Sequence, residues 1–160
     1  MEEYIEYGFP INGLVSGKDW EVFGAILLED EAADGYCGNG KGADLQHYEV
    51  KSCVNKNGNG CYEYQYHRNT GHEKLKEETE LVDHAFIFYK PKYKDFEVWT
   101  VNQKYIQEHT EGEDWSGRIR ENYEGTNKQR CRLRVPHTLV KDKGELILKV
   151  VDSKVVLSNA

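Results

Sequence analysis

No stretch of the 160-residue chain carries the roughly 18 consecutive apolar residues that span a bilayer, and Met1-Glu2-Glu3-Tyr4 has neither the basic nor the apolar region of a secretory signal. A soluble, cytoplasmic protein with no membrane partner is expected. The four cysteines, Cys37, Cys53, Cys61 and Cys131, include no C-x-x-C pair, so free thiols are expected in place of a structural zinc site. Cys53 and Cys61 flank the turn-rich segment 54–60, where a hairpin would bring them face to face, with His67 or His72 as further ligands if zinc were held. Positive charge is also in short supply. Lysine and arginine number 21 against 28 aspartates and glutamates, a net charge of −7, which argues against a protein that coats nucleic acid by neutralising phosphates. An enzyme whose acidic site holds divalent cations at DNA stays open. Repeats, low-complexity tracts and evident linkers are absent too, so residues 1–160 are expected to form one domain.

What is present reads as alternating α and β elements. Trp20, Phe23 and Leu27 recur at helical spacing, with Ser16 as a cap and Gly35 past the end, predicting a helix over 18–33. After the glycine-rich connection 35–42 come two short segments, 43–45 and 48–52, close enough in sequence for a tight hairpin. Cys61 to His67 alternates aromatic and polar residues as a strand does, and residues 73–82 suggest a short charged helix. His84 to Tyr89 is the most strand-like run; the turn at 91–95 returns it into Phe96 to Val101, the expected central hairpin of a sheet. Residues 102–124 look partly helical, Arg130 to Val135 alternates as a strand, and 145–157 is apolar and β-branched, a strand or a helix. The expected fold class is α/β, a mixed central sheet flanked by helices.

The segment that carries chemistry is Gly42-Ala43-Asp44-Leu45-Gln46-His47-Tyr48-Glu49-Val50-Lys51-Ser52. In a two-residue hairpin turning at Gln46-His47, Asp44 lies opposite Glu49, and opposed residues project to one face. Lys51, two residues beyond Glu49, shares that face by strand alternation. Two close carboxylates repel each other unless a cation sits between them, and hard oxygens are the ligands magnesium prefers. A metal site with an adjacent ammonium suits phosphodiester hydrolysis: the metal polarises a phosphoryl oxygen, and the lysine orients the attacking water or offsets developing charge. The plain alternative for the same residues is an exposed hairpin with alternating charges.

Asp44 followed by Glu49-Val50-Lys51, after a helix and a glycine-containing turn, resembles the PD-(D/E)XK nuclease superfamily, which includes most Type II restriction endonucleases and the Holliday junction resolvases. In length and order of parts the chain is similar to the compact PvuII-type restriction endonucleases. The resemblance implies a restriction-endonuclease-like fold with Asp44, Glu49 and Lys51 as catalytic residues, Asp44 and Glu49 holding Mg2+ (or Mn2+ in its place), and a helix glutamate, Glu21, assisting. The interval from Asp44 to Glu49 is short for that superfamily, which leaves Asp34 or Asp30 open as the first ligand. The resemblance also implies that residues 65–72 enter the major groove. There Arg68 suits guanine, Asn69 suits adenine, and His67 or His72 adds a contact. A restriction enzyme cutting a short palindrome in double-stranded DNA as a homodimer is the expected activity, because a twofold-symmetric site calls for two active centres. A resolvase acting on branched DNA is the alternative within the same superfamily.

Two further signals carry less. Gly35-x4-Gly40-Lys41 has the outline of a phosphate-binding loop, yet Gly42 stands where Ser or Thr is needed, and the segment follows a helix instead of a strand. Arg130, Arg132 and Arg134, with Arg118, Arg120 and Lys128 upstream, form either a phosphate-contacting surface or one solvated strand face paired with glutamates. The rival class is a non-catalytic acidic protein, a DNA mimic or inhibitor, which would account directly for the charge of −7.

Overall fold

A computed structural model of the chain describes residues 16–32, 44–67, 81–92, 94–112 and 130–159. The elements within them are α1 (Ser16–Leu28), β1 (Tyr48–Val54), β2 (Cys61–His67), β3 (Asp83–Tyr89), β4 (Phe96–Val101), α2 (Gln103–Gly112), β5 (Arg130–Pro136), α3 (His137–Lys143), β6 (Glu145–Val151) and β7 (Lys154–Ser158). Strands β1-β3-β4-β6-β7 form a five-stranded mixed sheet in that order, and β2 pairs with β5 in a separate antiparallel ribbon. The mixed α/β class expected from the sequence is what the chain adopts.

β3 is the apolar run Asp-His-Ala-Phe-Ile-Phe-Tyr, buried from His84 to Phe88, and both its faces are covered. A strand buried on two sides needs this near-continuous apolar character, which alternation would not supply. It forms the expected hairpin with β4, with Phe86 opposite Trp99 and Lys90 N donating to Asp95 O across the turn. Its other neighbour, β1, runs parallel, with Glu49 beside His84 and Lys51 beside Phe86. Parallel neighbours need a long crossover. Here β2 lies within that crossover, which is why it leaves the main sheet.

Alternation sorts the side chains into two layers. Val50, Ala85, Ile87, Val98, Leu148 and Val150 face α1, whose Val22 and Ala25 are buried against them. Trp20 and Phe23 close the end of this layer on Phe96, with ring centroids 5.6 and 5.5 Å away. On the opposite face Phe86, Phe88 and Val101 pack with Tyr62 and Tyr64 of β2, Val135 of β5, Ile106 of α2 and Val140 of α3. The sheet is thus covered on both sides by apolar surface.

Two sequence expectations are corrected. α1 ends at Leu28, short of residue 33, because Glu29 takes a left-handed φ of 52° and Asp30 N donates to Ala25 O, a Schellman-type stop that needs no glycine here. Gly35 lies outside the described residues, as does most of the expected 73–82 helix. Of the expected strand 43–45, the described residues 44 and 45 form no ladder with β1. Leu45 N does close a turn on Tyr48 O, but Leu45 makes only an isolated bridge with Ala32, and β1 spends its ladder on β3. The tail, open between helix and strand in the sequence, is the β6–β7 hairpin.

The turn after β1 uses Asn57 and Gly58 at φ 54° and 85°, the left-handed pair of a tight hairpin turn, and Asn55 Oδ1 accepts from Gly58 N at 2.7 Å. Two residues on, Gly60 passes so close to the sheet that a Cβ there would lie 2.7 Å from Phe88 and 2.8 Å from Cys53 Sγ. Gly60→Ala is expected to cost roughly 1–3 kcal/mol of unfolding free energy through overpacking, read by urea denaturation. His137 supplies a pH test. It is buried, stacks on Phe88 at 3.7 Å between ring centroids and meets Tyr62 Oη at 3.0 Å through Nδ1. Burial holds its pKa below the usual 6.5. The unfolded chain therefore takes up a proton at higher pH than the folded one, and the stability tied to neutral His137 is full above 6.5 and lost as pH falls below it. Urea midpoints between pH 7.5 and 5 should fall more steeply for the wild type than for His137→Phe; parallel curves would contradict this.

Candidate active site

β1 is an edge strand of the sheet, so one of its sides carries backbone groups that β3 does not use. The bend after Leu45 turns Asp44 back onto that side, where its Oδ2 accepts from Val50 N at 2.9 Å. Asp44 N in turn donates to Glu49 Oε2 at 3.2 Å. Each carboxylate is thereby tied to a backbone N–H of the same bend, which fixes its direction without a ladder. Glu49 Oε1 meets Lys51 Nζ at 3.2 Å. The side chain of Glu49 is only 4% exposed and that of Lys51 23%. Glu49 thus joins Lys51 through its side chain and Asp44 through the Asp44 backbone N–H, in a side-chain-braced bend in place of the expected hairpin.

The floor of this cluster comes from elements remote in sequence. Lys51 Nζ stands 4.8 Å from the centroid of the Tyr64 ring on β2. The Tyr64 hydroxyl meets His84 Nδ1 at 2.7 Å, and His84 is the register neighbour of Glu49 on β3. Tyr64 and His84 are both fully buried. Nothing in the local sequence marked either residue: Tyr64 reads as one aromatic in an alternating strand and His84 as the first residue of an apolar run. Only the parallel register, which places β3 beside β1, brings them to Glu49 and Lys51.

The other expected residues fall as follows. Glu21 is half-buried on α1, whose Val22 and Ala25 cover the Val50 side of β1, opposite the layer into which Lys51 projects. Asp30 is buried and committed elsewhere: it accepts from Glu31 N and His47 N at 2.9 Å each and pairs with the His47 ring at 3.0 Å. These contacts brace the bend that carries Asp44. Asp34 lies outside the described residues. His67 ends β2 in register with Arg130, while Arg68, Asn69 and His72 lie outside the described residues. Arg134 pairs across the ribbon with Glu63 at 3.0 Å, the solvated-face reading of that arginine. Cys53 and Cys61 are free thiols, and burial pushes Cys53 up to about 11.

Among the described residues no group of three or more His, Cys, Asp or Glu side chains is placed to hold a metal ion. The pair Asp44 and Glu49 nevertheless suits magnesium, which takes hard oxygens and is commonly held by one or two carboxylates with water and phosphate completing the shell. The same end of the sheet is rich in carboxylates on its other face. Burial first, and then Asp83, Asp30 and Glu145, hold the Tyr48 hydroxyl above its usual range.

Compared with protein-family models, with curated proteins and with solved structures, the chain finds no match.

Because Glu49 is nearly buried, removing its cation partner strands a charge. Lys51→Met should cost about 3 kcal/mol in urea unfolding at neutral pH, and adding Glu49→Gln should recover part of that loss. A double variant no more stable than Lys51→Met would show that Glu49 does not depend on the pair.

Proposed function

We propose that the chain is a metal-dependent endodeoxyribonuclease with a restriction-endonuclease-like fold, cutting double-stranded DNA at a specific sequence by phosphodiester hydrolysis. The observation that carries the reading is the convergence of Asp44, Glu49 and Lys51 at one end of β1, with Glu49 withdrawn from solvent. A decoy that imitates the phosphates of DNA has to display its carboxylates on the surface. A carboxylate only 4% exposed and bonded to a lysine is badly placed for that, and well placed for chemistry.

In this reading Asp44 and Glu49 hold Mg2+, with Mn2+ able to replace it. When bound, the ion would polarise a phosphoryl oxygen and lower the pKa of a bound water. The backbone N–H groups of Val50 and Asp44 keep the two carboxylates aimed without rearrangement during reaction. Lys51 directs the attacking water toward phosphorus and offsets the charge that grows on the phosphate oxygens. Residues 65–72, with His67, Arg68, Asn69 and His72, supply base recognition in the major groove. Two copies, as a homodimer in the cytoplasm, cut the two strands of a palindrome.

Magnesium-supported cleavage of a long, sequence-diverse duplex is the test. Discrete fragments are expected from the wild type, with rates lowered at least 10²–10³-fold, an order of magnitude drawn from losses of single charge-stabilising groups, in Glu49→Ala and Lys51→Ala. Cleavage confined to four-way junctions would select the resolvase alternative. Intact DNA of every form, with magnesium and with manganese, would refute the enzyme and leave the acidic DNA-mimic reading.

A further inference from the structure

We propose that Tyr64 is a positioning residue for Lys51, and that His84 holds Tyr64 in the orientation this requires; the catalytic consequence rests on the nuclease reading above. Lys51 carries its ammonium on a flexible four-carbon stem whose rotamer freedom opposes any single placement. Contacts from different layers restrain it. Glu49, on its own strand, meets Nζ at 3.2 Å; the face of Tyr64, on β2, meets it 4.8 Å from the ring centroid, inside the reach of a cation–π contact. Partial desolvation, with the Lys51 side chain 23% exposed, strengthens the second contact over its value in open water.

An aromatic ring serves a cation only if its face is presented. Tyr64 is prevented from turning by its buried surroundings and by the 2.7 Å hydrogen bond between its hydroxyl and His84 Nδ1. His84 is itself fixed by its place in β3 and by lying parallel to Phe86, 6.1 Å between centroids and 13° between planes. Because His84 is the register neighbour of Glu49, the group that orients the ring and the group that pairs with Lys51 share one rung of the sheet. Glu49, Lys51, Tyr64 and His84 thus form a chain of contacts whose two ends lie on one rung of the sheet. A buried tyrosine that only filled the core would also need a partner for its hydroxyl, but it would not need its ring face toward the lysine.

The test separates this proposal from the nuclease reading. Tyr64 is replaced by phenylalanine, which keeps the ring and drops the His84 hydrogen bond, and by pentafluorophenylalanine, which keeps the ring's shape and removes its attraction for a cation. The order of the Lys51 side chain is measured by NMR relaxation of its ammonium nitrogen, a readout independent of cleavage, and kcat and KM are measured on duplex DNA with magnesium. Lys51 should lose part of its order in Tyr64→Phe, which lacks the bond to His84, and become fully mobile with the fluorinated ring. With KM unchanged, kcat should fall about threefold for Tyr64→Phe and about tenfold for the fluorinated ring. Equal Lys51 order in the wild type and the fluorinated protein would overturn the positioning role. Loss of order in a protein whose wild type cuts no DNA would support the role of Tyr64 and refute the nuclease reading alone.

Discussion

A carboxylate withdrawn from water demands compensation, and the parallel pairing of β1 with β3 is what arranges it for Glu49. Running side by side, the two strands set Glu49 next to His84 and Lys51 next to Phe86. They also force the chain out of the sheet between them, since parallel neighbours cannot be joined by a tight turn. The excursion carries β2 onto the Phe86 face, and with it Tyr64 over Lys51. A hairpin between β1 and its successor would have left that face without the ribbon and Lys51 without its floor.

The site follows from the edge as much as from the pairing. β1 has a free side because it ends the sheet, and the Asp44 bend fills it: one carboxylate takes the Val50 N–H, and the freed Asp44 N–H goes to the second carboxylate. Asp30 braces the same bend from behind through His47. Edge strands are commonly protected by charged side chains or covering loops. Here the Asp44 bend supplies that protection, and the same bend orients the carboxylates of Asp44 and Glu49.

Much of this was readable in advance, and the failures have physical causes. Strands β2, β3 and β4 announce themselves by aromatic and β-branched composition, β5 by the alternation of arginine with Cys131, Leu133 and Val135, and the β3–β4 turn by its Pro-Lys-Tyr-Lys-Asp sequence. The length of α1 was overestimated because its stop is a backbone motif with Glu29 in a left-handed conformation, and periodicity has no mark for that. The convergence of Asp44 with Glu49 was inferred through a hairpin that the chain does not make; the inference held because a bend of the same span brings the same two residues together. Tyr64 and His84 left no trace in the local pattern, being 20 and 40 positions from Asp44 and joined to the site only by pairing.

Sequence by itself determined the α/β class, most strands, and the grouping of Asp44, Glu49 and Lys51, since all three lie within eight residues and short-range geometry can be reasoned from periodicity and turns. Tertiary structure alone decided which strand β1 would pair with, which face of the sheet Lys51 would meet, and that Asp30 would brace the bend. Those outcomes depend on where distant segments pack. Burial of apolar surface drives that packing without direction, and the register that selects among the packings is a property of the assembled sheet.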